Sequence, residues 1–337
     1  SQYYQTIDRM YPAWTGQDEA LTQSQHALTS SDTGPWEKGF RYSLHLQNGN
    51  QTSGAGAGDL ASIFQYSIEA QDLATSGWLC TDPNSKLTFS FWVKSSVAQE
   101  FWGYIYNNDG GGDSFSYSTG ALSANTWKKV TVTIPGHADL AVNHDNGPGI
   151  TIYLQAYMGS DRTTSSHTLN AWQSYSSSDR TPDTTSTWWT TDDATLEVTG
   201  LQLEVGDTAT DFEHRSYGDE LARCQRYYYH HIQGTDGPVG EGSFYQDNNM
   251  YVYVKFPVSM RTSAPSIKVV NSSSYYMTFS GSGADAFDTW NGIWAKNENG
   301  TIINAYSAQG ISGRSQGDAA FVITNHADAY VAFDAEL

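Results

Sequence analysis

Apolar and polar residues alternate along much of this chain with a period of two. In one such segment, Val130, Val132 and Ile134 alternate with Thr131 and Thr133. Because successive side chains of a β-strand point to opposite faces, this alternation predicts strands with one apolar and one polar face. Such strands form antiparallel sheets that enclose a shared apolar interior. The same alternation is found in four further segments of the first 205 residues: 40–46, 87–93, 150–158 and 196–205.

The last of these segments contains one irregularity. Apolar residues occupy even positions up to Val198 and odd positions from Leu201 onwards. An extra residue in one strand, a β-bulge, restores the alternation, and glycine accepts the backbone conformation that a bulge requires. We therefore predict a β-bulge at Gly200, which places Glu197 and Glu204 on the same outer face.

A helical period follows the bulged strand. Ser216 and Asp219 have the spacing of a capping box, and Leu221, Cys224 and Tyr228 recur at helical intervals. This pattern predicts one short helix between two β-rich segments.

The β-strand alternation returns after this helix, with a hairpin loop at 297–300. The strands predicted there are 250–256, 276–279, 292–295, 301–306, 321–324 and 330–333. We predict an all-β protein of two antiparallel β-sandwich domains, both jelly-roll-like, joined by a short helix. The predicted domains are residues 1–215 and 230–337, and the linker helix is 216–229.

Composition agrees with this fold class and narrows the range of partners. Only 16% of the 337 residues are charged, and 46 are aromatic, which favours strands. The formal net charge of −19 repels phosphates, so a nucleic-acid partner is excluded. No apolar run approaches the ~20 residues of a membrane-spanning helix, so no membrane insertion is expected. Cys80 and Cys224 could form a disulfide bond, but two buried thiols are favoured.

The junction between the two predicted domains carries a distinctive string of residues. Residues 199–206, 209–215 and 220–228 read TGLQLEVG, ATDFEHR and ELARCQRYY. This string resembles a segment of bacteriophage tail-fibre and virion structural proteins of the marine phage type, with Leu201 and Asp211 as departures from the usual residues. The resemblance implies a carbohydrate-binding-module-like jelly roll followed by a small β-sandwich, in a particle-attached protein without enzymatic activity.

Few residues form patterns that would carry catalysis. A glycosidase needs two carboxylates about 5–9.5 Å apart, whereas Glu197 and Glu204 lie about 20 Å apart along one strand. No zinc-protease HExxH pattern or P-loop pattern occurs. We therefore assign no catalytic residue and no cofactor, with an appendage glycan hydrolase kept as an alternative.

Two acidic, loop-forming segments have the residue types of calcium sites. They are Asp109–Asp113, which encloses three glycines, and Asp139–Asp145. Calcium binds several carboxylate and carbonyl oxygens, but neither segment has the spacing of an EF-hand loop. Solvated turns and cation-binding loops are both compatible with these residues, and we assign no metal ligand.

Sugar binding requires an aromatic surface flanked by hydrogen-bonding side chains. In the second predicted domain, six residues offer this combination: Trp290, Trp294, Tyr275, Tyr276, Asp285 and Asn291. The same aromatic residues would equally serve as core or as contacts between subunits.

These observations and the resemblance together predict a non-enzymatic component of a phage virion appendage. We expect it to attach to the particle through the first domain and to present the second to a glycan of the host surface. The expected partners are other virion proteins and further copies of the chain, with a trimer favoured. A purely structural capsid-decoration or tail protein without a ligand is the alternative.

Overall fold

The computed structural model describes residues 9–281, 283–306 and 310–337, and it confirms the prediction of an all-β, sandwich-type protein. Contacts within the chain form two compact units, Ser1–His214 and Arg215–Leu337. We call them the N-terminal unit and the C-terminal unit. No helix among the described residues is long and apolar enough to cross a membrane.

The N-terminal unit contains a six-stranded sheet, in the order β1-β4-β9-β6-β7-β10, and a five-stranded sheet, in the order β2-β3-β11-β5-β8. A 3-10 turn lies at Trp36–Lys38 and helix α1 at Ala70–Thr75. The strands are β1 Ala13–Thr15, β2 Thr22–Ala27, β3 Tyr42–Gln47, β4 Leu60–Glu69, β5 Lys86–Ser95, β6 Trp102–Asn107, β7 Asp113–Ser118, β8 Lys128–Pro135, β9 Pro148–Met158, β10 Trp172–Ser174 and β11 Thr195–Val205.

Aromatic side chains from both sheets fill the interior of this unit. Phe89 and Phe91 of β5 stack at 5.0 Å, and Tyr117 of β7 meets them edge-on at 5.9 and 6.3 Å. The Tyr117 hydroxyl donates to the carbonyl oxygen of Tyr153 at 2.8 Å, so its polar atom is satisfied within the core. Burying each such ring contributes about 1.5–3 kcal/mol to the stability of the fold.

The predicted bulge at Gly200 is present. The register of β11 against β5 shifts between Thr199 and Gln202, and Gly200 has a φ of +63°. The bulge preserves the apolar inner face of β11 on both sides of the irregularity.

The C-terminal unit contains a three-stranded sheet, in the order β12-β21-β15, and a seven-stranded sheet, in the order β17-β16-β20-β13-β14-β19-β18. The predicted hairpin is confirmed, since Asn297 of β18 pairs with Gly300 of β19. The strands are β12 Tyr228–Gln233, β13 Pro238–Gln246, β14 Asn249–Lys255, β15 Ser266–Val269, β16 Tyr276–Ser280, β17 Gly283–Phe287, β18 Gly292–Asn297, β19 Gly300–Tyr306, β20 Ala319–Thr324 and β21 Tyr330–Asp334.

The predicted helix is shorter than its periodicity indicates. Helix α2 spans Tyr217–Gln225, and the Ser216 hydroxyl caps it by accepting from the amide of Asp219. Tyr228 lies beyond the helix, because its backbone pairs with Asp334 at the start of β12. Cys80 and Cys224 form no disulfide bond, and both are partly rather than fully buried.

Candidate functional site

Two of the six residues predicted for sugar binding belong to the core of the C-terminal unit. Trp290 is 3% exposed and Tyr276 is fully buried, and both rings contact Phe287, at 5.3 and 5.5 Å. The Tyr276 hydroxyl donates to the carbonyl oxygens of Val270 and Tyr330, and burial raises its pKa. Neither ring has a free face in this structure.

Of three others, Asp285 and Tyr275 are partly buried and Asn291 is exposed. Asp285 on β17 forms an ion pair with Arg314 at 2.6 Å. The Tyr275 ring stacks on His326 at 4.1 Å, and Asn291 is exposed just before β18. Asp285 and Asn291 lie six residues apart, at either end of the short connection between β17 and β18, the two edge strands of the seven-stranded sheet.

Trp294 is the member of the set that offers an open ring. It is 65% exposed on β18, and its ring lies 5.0 Å from that of Tyr251 on β14. Further aromatic side chains stand on the same, outer side of the sheet. We call the set the aromatic face: Tyr245, Tyr251, Tyr253, Phe279, Trp294 and Phe321.

Strand register aligns part of the aromatic face into a row. Phe279 pairs with Phe321, Phe321 with Glu241, and Glu241 with Tyr253. These four residues lie on adjacent strands, so the row extends about 14 Å at ~4.8 Å per strand. Phe279, Phe321 and Tyr253 are 39%, 41% and 56% exposed, so ring surface is accessible along its whole length.

Hydrogen-bonding side chains lie between these rings. Ser243 and Asn304 flank Tyr251 in register, on β13 and β19. Glu241 separates the rings of Phe321 and Tyr253. The aromatic face therefore combines apolar ring surfaces with polar groups at the spacing of neighbouring strands.

Tyr251 and Tyr253 are not among the residues predicted for sugar binding, although the sequence pattern indicates that they are exposed. In the segment 250–256 these tyrosines alternate with Val252 and Val254, which predicts that both point away from the core. The valines are fully or almost fully buried, as that alternation requires.

A pocket of about 420 Å³ opens on the outer side of the five-stranded sheet of the N-terminal unit. Its size falls within the range of small-molecule sites. The rings of Phe40, Phe212 and His214 contact one another at 4.8–5.2 Å along one wall. The remaining lining residues are Glu37, Lys38, Gly39, Ser90, Trp92, Lys129, Gly200, Thr210 and Asp211.

The segment 207–214, which carries part of the distinctive residue string, forms this wall. Glu204 accepts hydrogen bonds from the backbone and hydroxyl of Thr210, and Gln202 accepts from the amide of Glu213 at 2.8 Å. Residues of the distinctive string therefore bind one another: side chains of β11 accept hydrogen bonds from the segment that follows the strand.

Charged groups surround the mouth of the pocket. Lys38 Nζ lies 2.9 Å from Asp211 Oδ1, and this hydrogen bond lowers the pKa of Asp211. Lys129 Nζ lies 3.5 Å from the carbonyl oxygen of Thr210. The pocket is chemically suited to a small polar ligand with an apolar face.

Glu197 and Glu204, which share the outer side of β11, are both engaged in the structure. Glu197 is 3% exposed and pairs with Lys94 at 2.9 Å. Burial opposes its ionisation, but hydrogen bonds from His26, Ser43 and Lys94 outweigh burial and lower its pKa. Glu204 holds Thr210.

A serine, a histidine and an aspartate form a chain of hydrogen bonds, which we call the relay, beneath the segment 159–194 between β9 and β11. His167 Nε2 lies 2.7 Å from Ser116 Oγ, and Nδ1 lies 2.6 Å from Asp179 Oδ1. Such a relay serves nucleophilic catalysis where the serine is open to substrate. Here Ser116 is fully buried and its hydroxyl donates to the carbonyl oxygen of Arg180 at 2.8 Å. The relay therefore fastens the loop to β7 and is closed to a substrate.

One GxSxG pattern, the sequence pattern of a serine nucleophile in many hydrolases, occurs at residues 313–317. A nucleophile elbow needs this pattern on a turn between a strand and a helix. Ser315 instead lies in a loop that leads into strand β20, where its amide donates to Asp318. The local fold is not that of an elbow.

No family model matches the chain, and no curated protein matches it.

Several solved structures are similar to this chain, with low sequence identity and low TM-scores. The enzymatically active domain of tailspike protein 4 of bacteriophage CBA120 has 12% identity and a TM-score of 0.31, over 58% of this chain and 19% of that one. The family 11 carbohydrate-binding module of the cellulase Lic26A-Cel5E of Clostridium thermocellum has 13% identity and a TM-score of 0.28, over 64% and 95%. The tandem CBM22 domains of Paenibacillus barcinonensis Xyn10C have 12% identity and a TM-score of 0.29, over 96% and 91%. This chain therefore spans about a fifth of the tailspike chain.

Proposed function

We propose that this protein is a non-enzymatic glycan-binding component of a phage virion appendage, and that the aromatic face of the C-terminal unit binds the glycan. The observation that supports glycan binding is the exposure of Trp294 and Tyr253, 65% and 56%, on one side of a sheet. The resemblance of residues 199–228 to tail-fibre and virion structural proteins supports the appendage.

The chemistry of the aromatic face suits a sugar chain. A pyranose has an apolar C–H face, which packs on an aromatic ring, and hydroxyls around its edge, which require hydrogen-bonding groups. Ser243, Asn304 and Glu241 supply such groups beside the rings in register. An elongated row across adjacent strands accommodates several consecutive sugars.

A glycan-array measurement with the whole protein tests this function. Arrays of bacterial surface polysaccharides are expected to contain at least one bound structure. Trp294→Ala and Tyr253→Ala should each weaken that binding by about three- to tenfold, because a stacked aromatic contact contributes roughly 0.5–1.5 kcal/mol.

Tyr217→Ala is the matched control, since Tyr217 is 82% exposed on helix α2 of the same unit. It should leave binding unchanged. If the array contains no bound glycan, or if all three variants bind alike, the aromatic face is not a glycan site. A change in oligomer size in Trp294→Ala, measured by light scattering, would instead assign the face to contacts between subunits.

The location on the virion is tested separately. Antibodies raised against this chain should label intact particles at a tail or surface appendage in electron micrographs. If the antibodies label only protein outside particles in the lysate, and never the particles, this part of the proposal is contradicted.

A further inference from the structure

One end of the N-terminal unit brings together three side chains with metal-binding atoms. Asp113 begins β7 in the six-stranded sheet, and His137 and Asp139 follow β8 of the five-stranded sheet. One ligand atom from each residue lies within 4.8 Å of the other two. His137 Nδ1 and Asp139 Oδ2 are 3.6 Å apart.

Asp113 provides an independent indication of a cation. It is 7% exposed, yet within the described ranges no side chain or amide forms a hydrogen bond or ion pair with its carboxylate. A largely buried carboxylate without a protein partner is costly unless water or a cation contacts it. Metal-binding atoms of His137 and Asp139 lie within 4.8 Å of its carboxylate.

We propose that Asp113, His137 and Asp139 bind a divalent transition-metal cation of the Zn²⁺ class. One imidazole nitrogen and two carboxylate oxygens suit Zn²⁺, which takes three protein ligands and a water at about 2.0–2.2 Å. Calcium prefers six to eight oxygen ligands, and the imidazole here disfavours it.

The distances are compatible with tetrahedral coordination. Ligands about 2.1 Å from a tetrahedral centre lie about 3.4 Å from one another. The separation of His137 and Asp139 is already 3.6 Å. Asp139 is exposed, so its side chain is free to rotate toward the other two ligands.

Hydrogen bonds hold the loops 108–112 and 136–147, which flank the three residues, in place without the metal. The His137 amide donates to the carbonyl oxygen of Cys80 at 2.8 Å. Asn143 donates to Asp109 through its amide and its side chain, at 2.9 and 2.8 Å. A cation bound by the three residues would link the two sheets of the sandwich and stabilise this unit by binding only its folded form.

Zinc titration of the untagged, chelator-treated full chain tests the site. Calorimetry should show binding with a stoichiometry of one, and ZnCl2 should raise the Tm by several degrees. CaCl2 and MgCl2 at equal concentration should raise it less. No binding, or an equal response to all three cations, would overturn the proposal.

Variants separate this site from binding elsewhere on an acidic surface. Asp113→Asn should abolish the zinc-dependent rise in Tm while leaving the metal-free Tm equal or higher, because the buried side chain becomes neutral. Asp139→Asn, at an exposed position that does not affect folding, should weaken zinc binding at least tenfold. Asp145→Asn, at an exposed position of the same loop, is the matched control and should behave as the unmodified protein. If the Asp139 and Asp145 variants respond to zinc alike, the zinc binds adventitiously and the site is refuted.

Discussion

Gly200 and the ring of Phe40 occupy adjoining space at the floor of the N-terminal pocket. A β-carbon on Gly200 would lie 2.5 Å from Phe40 Cζ, and its φ of +63° is in the left-handed region. Glycine is therefore required twice, once for the backbone of the bulge and once for the contact with the ring.

Gly200→Ala should lower the free energy of unfolding by about 2–3 kcal/mol, from backbone strain together with displacement of the ring. Urea denaturation measures this difference. Gly77→Ala is the control, because Gly77 also has a positive φ, +88°, but nothing lies within 4 Å of its β-carbon position. It should cost only about 1 kcal/mol. Equal losses in both variants would show that Phe40 does not constrain the bulge.

Lys94 lies between two acidic side chains that are largely buried. It contacts Asp32 at 3.0 Å and Glu197 at 2.9 Å. Burial opposes ionisation of Asp32, but hydrogen bonds from Trp127, Thr29 and Lys94 outweigh it and place the pKa of Asp32 well below its ordinary 3.8. Both carboxylates thus have a lower pKa in the folded state than in the unfolded state.

This depression of pKa predicts acid sensitivity. The unfolded chain takes up protons first as pH falls through about 4.5 and 3.8, so the stabilisation is complete above ~pH 5 and decreases below it. Glu197→Gln should weaken the dependence of the free energy of unfolding on pH between pH 5 and 3. It should also lower that free energy by about 3 kcal/mol at pH 7, because Lys94 keeps only one anionic partner. Thermal unfolding across pH measures both effects. Glu37→Gln, at an exposed position, should change neither, and an unchanged slope in Glu197→Gln would contradict the assignment.

At the scale of elements, the loop between β9 and β11 covers the outer side of the six-stranded sheet. His167 fastens this loop to Ser116 of β7, and its side chain is fully buried. The loop also carries Tyr175, whose ring lies 5.0 Å from that of Tyr106 on β6. Polar residues on that side of the sheet are therefore buried rather than solvated.

His167→Ala should release the loop while the sandwich stays folded, because both sheets and the core are unchanged. Trypsin cleaves after arginine, and Arg162 and Arg180 both lie in this loop. Limited trypsin digestion should therefore cut the variant several times faster at these residues, with little change in Tm. His144→Ala, an exposed residue of another loop, is the control. Equal cleavage rates would show that His167 does not hold the loop.

This covering loop also limits what the sequence predicts about burial. Strands β8 and β14 alternate in polarity, and their burial alternates with it. β7 contains DSFSYS, in which serines alternate with aromatic rings, but five of its six residues are buried. Because both faces of such a strand are covered, alternation of polarity no longer reports solvent exposure. The loop that covers it is not predictable from local pattern.

At the scale of the whole molecule, the sequence predicts the fold class, because alternation and composition both reflect burial on one face. The division between His214 and Arg215 lies one residue from the predicted end of the first domain. The candidate site is only partly predictable. Trp290 and Trp294 are four residues apart, yet Gly292 with its φ of +141° and an irregular register between Ile293 and Ala295 intervene. The alternation of side chains between the two faces of a strand is interrupted in such a segment. Which tryptophan faces solvent therefore depends on the tertiary fold.

The attachment of the segment 207–214 has a mechanical consequence. Tension applied to the N-terminal unit at His214 would first load short polar contacts, in which His214 Nε2 donates to the carbonyl oxygen of Lys38 and Thr210 is held by Glu204. Behind them, β11 lies inside its sheet, hydrogen-bonded to β3 on one side and β5 on the other. Pulling a central strand lengthwise must shear two ladders together, whereas an edge strand peels from one neighbour bond by bond. The chain thus leaves this unit through one of the positions most resistant to extraction by force.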